Sequence, residues 1–189
     1  MGSLSLGSVF SRAFQAFKTA PLPFAIAGLL TFLTEPFTLC ILLGPALVGF
    51  ARMVAELEDT GNVSLSTLFS GFNQVVPCLI ISAAYVVVTV PTFTGVLFVL
   101  VVMLEPLLSI ATYIVAKGEN DALVAFQKAW DLYKVNFLNV LVISICLSVF
   151  GGFGIGLCGL GVFITYPINL IGEYFLAKDL VEQSRAMDA

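Results

Sequence analysis

Six long apolar runs fill the chain, and the polar stretches between them return in a fixed order. Residues 5–18 place Leu6, Phe10, Ala13, Phe14 and Phe17 at spacings of three and four, with Ser8, Ser11, Arg12, Gln15 and Lys18 between them. That pattern predicts an amphipathic helix, too polar to cross a bilayer and suited to its interface. Residues 63–72 and 121–134 repeat it. The second is capped by Ser64 or Ser66, and the third carries Leu123, Phe126, Ala129, Trp130 and Tyr133 on one face. Each interfacial helix is followed by two apolar runs, at about 22–34 and 37–55, 74–90 and 95–116, and 136–150 and 155–177. Proline- or glycine-bearing turns separate the members of each pair: Thr34-Glu35-Pro36, residues 90–95, and Phe150-Gly151-Gly152-Phe153-Gly154. The tail from 180 to 189 is polar and is expected to fray.

The second run of each pair repeats in register. Pro45, Pro106 and Pro167 are each 61 residues apart, and each segment closes on Val54-Ala55, Val115-Ala116 or Leu176-Ala177 followed by a charged residue. Aromatic pairs open the units: Phe14 and Phe17, Phe69 and Phe72, Trp130 and Tyr133. The expected fold is therefore all-α: six transmembrane helices as three parallel hairpin repeats, each preceded by an interfacial amphipathic helix. The repeats cover about 5–60, 61–120 and 121–179 of a single membrane domain, 1–189. Each unit crosses twice, so the copies point the same way, unlike the inverted repeats of many transporters.

Composition agrees with this. The 189 residues are 59% apolar and only 11% charged, with mean hydropathy +1.06, against roughly 25% charged in a soluble domain. Residues 74–104 contain no charge at all, longer than the roughly 20 residues a spanning helix needs. Uninterrupted apolar runs are not the alternation of a membrane barrel. All eight Lys and Arg residues lie in the N-terminus, the long connections or the C-terminus, so both termini are expected in the cytoplasm. No basic cluster suggests nucleic-acid binding. The chain has no histidine, and Cys40, Cys78, Cys146 and Cys158 sit in apolar segments without CxxC spacing. No metal, cofactor or catalytic group is expected.

Gly44-Pro45, the block 61–72, Ala125-Phe126 with Trp130, and the stretch 166–179 resemble a bacterial family of six-helix integral membrane proteins of unknown function. That family is distantly similar to the membrane domain attached to some glycerophosphodiester phosphodiesterases. The resemblance implies a six-helix fold in a bacterial inner membrane and no catalytic residue. Membrane lipids are the expected partners of a chain this apolar, with other membrane proteins or further copies of the chain as the alternative protein partners. Some relatives carry a basic–aromatic pair where this chain has Leu107-Leu108.

Ionisable side chains inside membrane segments are costly and are functional candidates for that reason. Arg52, Glu105 and Glu173 are the three well placed here. Glu105, Ser109 and Thr112 share one helix face, as do Tyr166, Asn169 and Glu173. In the repeat register Glu173 corresponds to Thr112 and Ala51, and Arg52 to Tyr113 and Tyr174. The polar faces should therefore meet at the centre, with a Glu173–Arg52 pair as one option. A packing core, proton or ion handling, and a lipid pocket all remain open. The most direct reading is a non-catalytic scaffold, accessory subunit or lipid-associated factor; the alternative is a small transporter or channel with a polar crevice around Glu105 and Glu173.

Overall fold

A computed structural model describes residues 4–37, 42–89, 98–156 and 161–187, which form eight α-helices and one 3₁₀ segment with no strand among them. Helix α1 (Leu6–Thr19) is capped by Ser5, whose hydroxyl accepts from the Ser8 amide at 3.3 Å. Helix α2 (Pro21–Phe37) starts on proline, which lacks only an amide that a first turn leaves unpaired. The chain bends by 107° between the two. Helix α3 (Leu43–Thr60) ends at Gly61, whose φ of 73° is the left-handed conformation glycine adopts freely. The 3₁₀ segment (Leu65–Gln74) runs directly into α4 (Val75–Thr89). Helix α5 (Phe98–Ala116) precedes α6 (Ala122–Val135), which is capped by the Asp121 carboxylate. Helices α7 (Phe137–Gly156) and α8 (Val162–Met187) complete the chain.

Three helices make the centre: α3, α5 and α8 each pack against the other two. Around them α4 packs against both α3 and α5, α7 against both α5 and α8, and α2 against both α8 and α3. The remaining elements follow the same rotation, with α1 on α8, the 3₁₀ segment on α3 and α6 on α5. Phe24, Phe50, Met53, Ile110, Ile168, Ile171 and Leu176 are fully buried among these helices. The outward faces are apolar as well: Leu22, Leu30 and Leu33 on α2, Val76, Leu79 and Ile80 on α4, Leu138, Val142 and Val149 on α7. An unbroken apolar exterior of this kind marks a surface made for a partner or for lipid. By length and composition two stretches can cross a membrane, Leu65–Val87 and Phe137–Gly154, or three if the bent pair α1–α2 counts as one. Val102–Ala116 is a shorter apolar helix.

Several boundaries differ from those the sequence suggests. Thr34-Glu35-Pro36 lies inside α2, and Phe150 to Gly154 lie inside α7. The predicted turn at 90–95 falls outside the described residues. In these helices glycine serves contact: added carbons on Gly151 and Gly154 would meet Asn169 and Thr165 of α8. Pro45 sits in the first turn of α3, whereas Pro106 and Pro167 are interior. The tail does not fray at 180; α8 continues to Met187, with Leu180 buried. Arg12 pairs with Asp179, and Lys178 reaches Glu58 at 2.6 Å, which holds this extension to α1 and α3.

The second interfacial segment is 3₁₀ rather than α. Its backbone crosses α3 so closely that a carbon on Gly49 would run into the Leu68 carbonyl, and one on Gly71 into the Pro45 carbonyl. The narrower 3₁₀ coil suits that approach, and outside donors replace the lost α bonds. Arg52 donates to the Ser70 carbonyl at 2.7 Å, and the Cys78 thiol to the Gly71 carbonyl at 3.3 Å.

Candidate functional site

Of the polar faces expected on α5 and α8, Ser109, Thr112 and Glu173 line one cavity in the three-helix core, and Glu105, Tyr166 and Asn169 do not. Between α3, α4, α5 and α8 lies a cavity of about 40 Å³. Ala51, Thr112 and Glu173 line it, the three residues related by intervals of 61. Ser109 and Thr112 reach it from α5 because they lie three residues apart on one helix face. Tyr85 enters from α4, and the apolar wall comes from Leu47 and Phe50 of α3 and Leu170 of α8. A space of this size admits at most about one water molecule.

Glu173 is the chemically distinctive group. It is 7% exposed, and its Oε1 accepts from the Ser144 hydroxyl of α7 at 2.7 Å. Its Oε2 is buried without a hydrogen-bond partner. Thr112 donates to the Leu108 carbonyl at 2.8 Å, and its hydroxyl and that of Ser109 both hydrogen-bond Tyr85. Glu105, one turn before Ser109 on α5, accepts from Ser148 of α7 at 3.0 Å. Asn169 is buried, packed near Gly151, with its amide oxygen unpartnered. Tyr166 stands apart from the cavity, its ring edge-on to Phe32 of α2 at 5.5 Å.

Arg52 does not pair with Glu173. Its Nε donates to the Ala116 carbonyl at 3.2 Å, Nη1 to the Ser70 carbonyl at 2.7 Å and Nη2 to Gln74. It ties the end of α5 and the 3₁₀ segment to α3. Repeat arithmetic places Arg52 and Glu173 close in depth but says nothing of direction around the helix, and that is where the expected pair fails. The residues corresponding to Arg52 do meet each other: the Tyr113 and Tyr174 rings contact edge-to-face at 5.1 Å. Lys117 covers both rings at 5.8 and 5.9 Å, and Tyr174 donates to Glu58 at 2.9 Å. This layer closes the cavity towards the C-terminal ends of α5 and α8.

The interfacial aromatics divide. Phe69 (59% exposed), Phe72 and Trp130 (51% exposed) point outwards, and Phe69 stacks on Phe72 at 6.5 Å. Phe14 is partly exposed with its ring edge towards Phe150 at 5.7 Å, while Phe17 packs against the core. Tyr133 is buried and donates to the Met103 carbonyl at 2.7 Å, so α6 turns Ala122, Ala125, Ala129 and Tyr133 inwards, and Leu123 and Trp130 face out. The single face read from the sequence is thus split, with Ala129 and Tyr133 buried and Leu123 and Trp130 exposed.

Sequence reasoning missed Tyr85, Ser144 and Ser148. A hydroxyl in an apolar helix usually bonds its own backbone, so it carries no signal of its own. Their recurrence on helices beside α5 and α8 was the available clue. Among the described residues no group of three or more His, Cys, Asp or Glu side chains is arranged to hold a metal.

A second, open groove of about 880 Å³ lies where α5, α6 and the end of α8 converge. It presents Lys117, Lys128, Lys178 and Arg185 together with Glu119, Asp131 and Glu182. The hydrogen bond from the Lys128 ammonium holds the Glu119 carboxyl below its ordinary pKa. No protein-family model, curated protein or solved structure matches the chain.

Proposed function

We propose that this is a six-span integral membrane protein of three parallel hairpin repeats, acting as a non-catalytic, lipid-associated scaffold or accessory subunit in a bacterial inner membrane. The observation that carries this reading is the rotation of contacts: each outer helix packs between its own inner helix and that of the preceding unit, including α2 between α3 and α8. Residues spaced by 61 then converge, as Ala51, Thr112 and Glu173 do around the cavity. The space of about 40 Å³ at the centre of this ring is too small for a lipid or an organic solute. The six spans are α2, α3, α4, α5, α7 and α8, with α1, the 3₁₀ segment and α6 as a collar at the cytoplasmic face. The mixed-charge groove beside that collar suits a phospholipid headgroup, and the outward Phe69, Phe72 and Trp130 suit the depth at which aromatic rings settle.

Reporters fused after Thr60 and after Asn120 test the topology, and both are expected to read as cytoplasmic. Replacing Phe69, Phe72 and Trp130 together by alanine should loosen the protein from native lipid, scored by co-purified lipid in mild detergent. An outward-facing reporter would refute the parallel hairpins, and unchanged lipid retention would refute the collar.

A small transporter is the second reading, favoured by the unpartnered Glu173 oxygen on the cavity. Proton or solute flux in liposomes that is lost in Glu105→Gln or Glu173→Gln would replace the scaffold reading with this one.

A further inference from the structure

We propose that the groove between α5, α6 and the end of α8 seats one anionic glycerophospholipid, with Lys117 and Arg185 on its phosphate and the apolar strip between α6 and α8 along an acyl chain. The inference rests on the lipid-associated reading above and narrows it to one class of lipid at one place. The groove holds about 880 Å³, within the roughly 300–1,000 Å³ usual for a small-molecule site.

The pairing of charges leaves an anion to be supplied. Of the carboxylates on the lining, Glu119 is taken by Lys128 at 2.7 Å, Asp131 by Lys134 at 2.6 Å and Glu182 by Lys178 at 3.8 Å. Lys178 is itself held at 2.6 Å by Glu58. Lys117 and Arg185 line the same groove, and among the described residues neither forms an ion pair. Lys117 is nevertheless held in place, its ammonium 5.8 and 5.9 Å from the centres of the Tyr113 and Tyr174 rings. A ring orients an ammonium without neutralising it, so the charge stays available to a ligand. Arg185 adds the planar fork of donors that matches the oxygens of a phosphate. A zwitterionic headgroup would bring an ammonium of its own, and each carboxylate on the lining already has its cation.

The rest of the lining asks for an amphiphile. Ile114, Leu132 and Val181 share it with these charges. The groove adjoins a pocket of about 290 Å³ between α6 and α8, with Asp131, Leu132 and Ser184 common to both and Val135 and Leu180 added. Val135 is 64% exposed, so this side opens to the exterior. A soluble phosphate would engage the cations and leave the apolar strip bare, whereas a phospholipid covers both. Trp130, the neighbour of Asp131 on α6, points outwards, and such rings settle at headgroup depth.

The test uses the full chain in mild detergent, freed of lipid and then given phosphatidylglycerol or phosphatidylethanolamine with the same acyl chains. Bound lipid is counted by native mass spectrometry. One phosphatidylglycerol should be held in preference to phosphatidylethanolamine. Lys117→Gln and Arg185→Gln should each weaken phosphatidylglycerol binding roughly fivefold and leave phosphatidylethanolamine unaffected. Lys18→Gln removes an exposed charge at the end of α1, away from the groove, and should change neither. Because Lys117 also packs on two rings, Arg185→Gln alone decides if Lys117→Gln does not fold. Glycerol phosphate should not displace the lipid; displacement at matching concentration would make a soluble phosphate the occupant and overturn the proposal. Equal retention of the two lipids, a preference kept in Arg185→Gln, or the same loss in Lys18→Gln would overturn it too, with the lipid-associated reading left standing. Retention of neither lipid would overturn both.

Discussion

Helices α3 and α8 hold corresponding places in the chain, yet they pack by opposite means. On α3 the positions that meet α4 and the 3₁₀ segment are small. Gly44 and Gly49 let the backbones of α4 and the 3₁₀ segment come into contact, and Ala51 faces the cavity. The corresponding position to Ala51 on α8 is Glu173, held by Ser144, with Asn169 one turn before it. Close backbone approach gains dispersion contacts without desolvating a charge. A buried carboxylate gives that up, and its desolvation costs energy that structure alone does not recover. A protein that needed only packing could have built all three inner helices like α3.

The largest effect should come from the smooth side. Gly49→Ala would drive a carbon into the Leu68 carbonyl, and since backbone meets backbone neither partner can swing away. We expect destabilisation of about 1–3 kcal/mol or more, read as a fall in the thermal midpoint in detergent. Gly152→Ala on α7 meets nothing within 4 Å. It should be neutral or stabilising by roughly 0.5–1 kcal/mol, because alanine favours helix. Equal losses at the two sites would remove the claim that α3 packs through its glycines.

On the polar side the corresponding cut is Ser144→Ala, which strips Glu173 Oε1 of its donor at 2.7 Å. A loss of about 1.5–3 kcal/mol is expected, since the bond goes to an ionisable buried group. Thr31→Val is the control, because the Thr31 hydroxyl bonds only within its own helix, to the Ala27 carbonyl at 2.9 Å. It should cost less than about 1 kcal/mol. Matching losses would make Glu173 an ordinary buried side chain.

Much of this contrast is legible in the sequence, for a physical reason. The 61-residue register set by the prolines puts Glu173, Thr112 and Ala51 at corresponding depths of the three inner helices, and the packing of those helices turns all three to the cavity. The meeting of Tyr113 with Tyr174 follows in the same way. The register does not show where a long side chain turns. Arg52 has five donors and a flexible stem, and three carbonyl or amide acceptors on neighbouring segments outcompete a carboxylate across the core. The turns at Thr34–Pro36 and Phe150–Gly154 were misread because proline and glycine break helices in water. In an apolar surrounding, unpaired backbone costs more than the intrinsic preference of these residues, and the helices run on. The 3₁₀ form of Leu65–Gln74 depends on Gly49 lying against it, a contact no local pattern announces.

The smallest expected effect bears most directly on the difference between the two helices. Ala51→Ser gives α3 a hydroxyl at the position where α5 has Thr112 and α8 has Glu173. That hydroxyl can donate into the cavity towards Glu173 Oε2, which has no partner. We expect a gain of about 1 kcal/mol, the usual worth of one added internal hydrogen bond. A serine in a helix can instead bond its own backbone four residues back, so a raised midpoint alone does not locate the bond. The double variant with Glu173→Met does. If the new hydroxyl pairs with the carboxylate, the gain disappears in the Glu173→Met background, and the coupling between the sites is about 0.5–1 kcal/mol. Should Ala51→Ser stabilise both backgrounds alike, the hydroxyl never faces Glu173, and the cavity does not join α3 to α8. Should it destabilise both, Ala51 is packed as tightly as Gly49, and the room beside the carboxylate is not there.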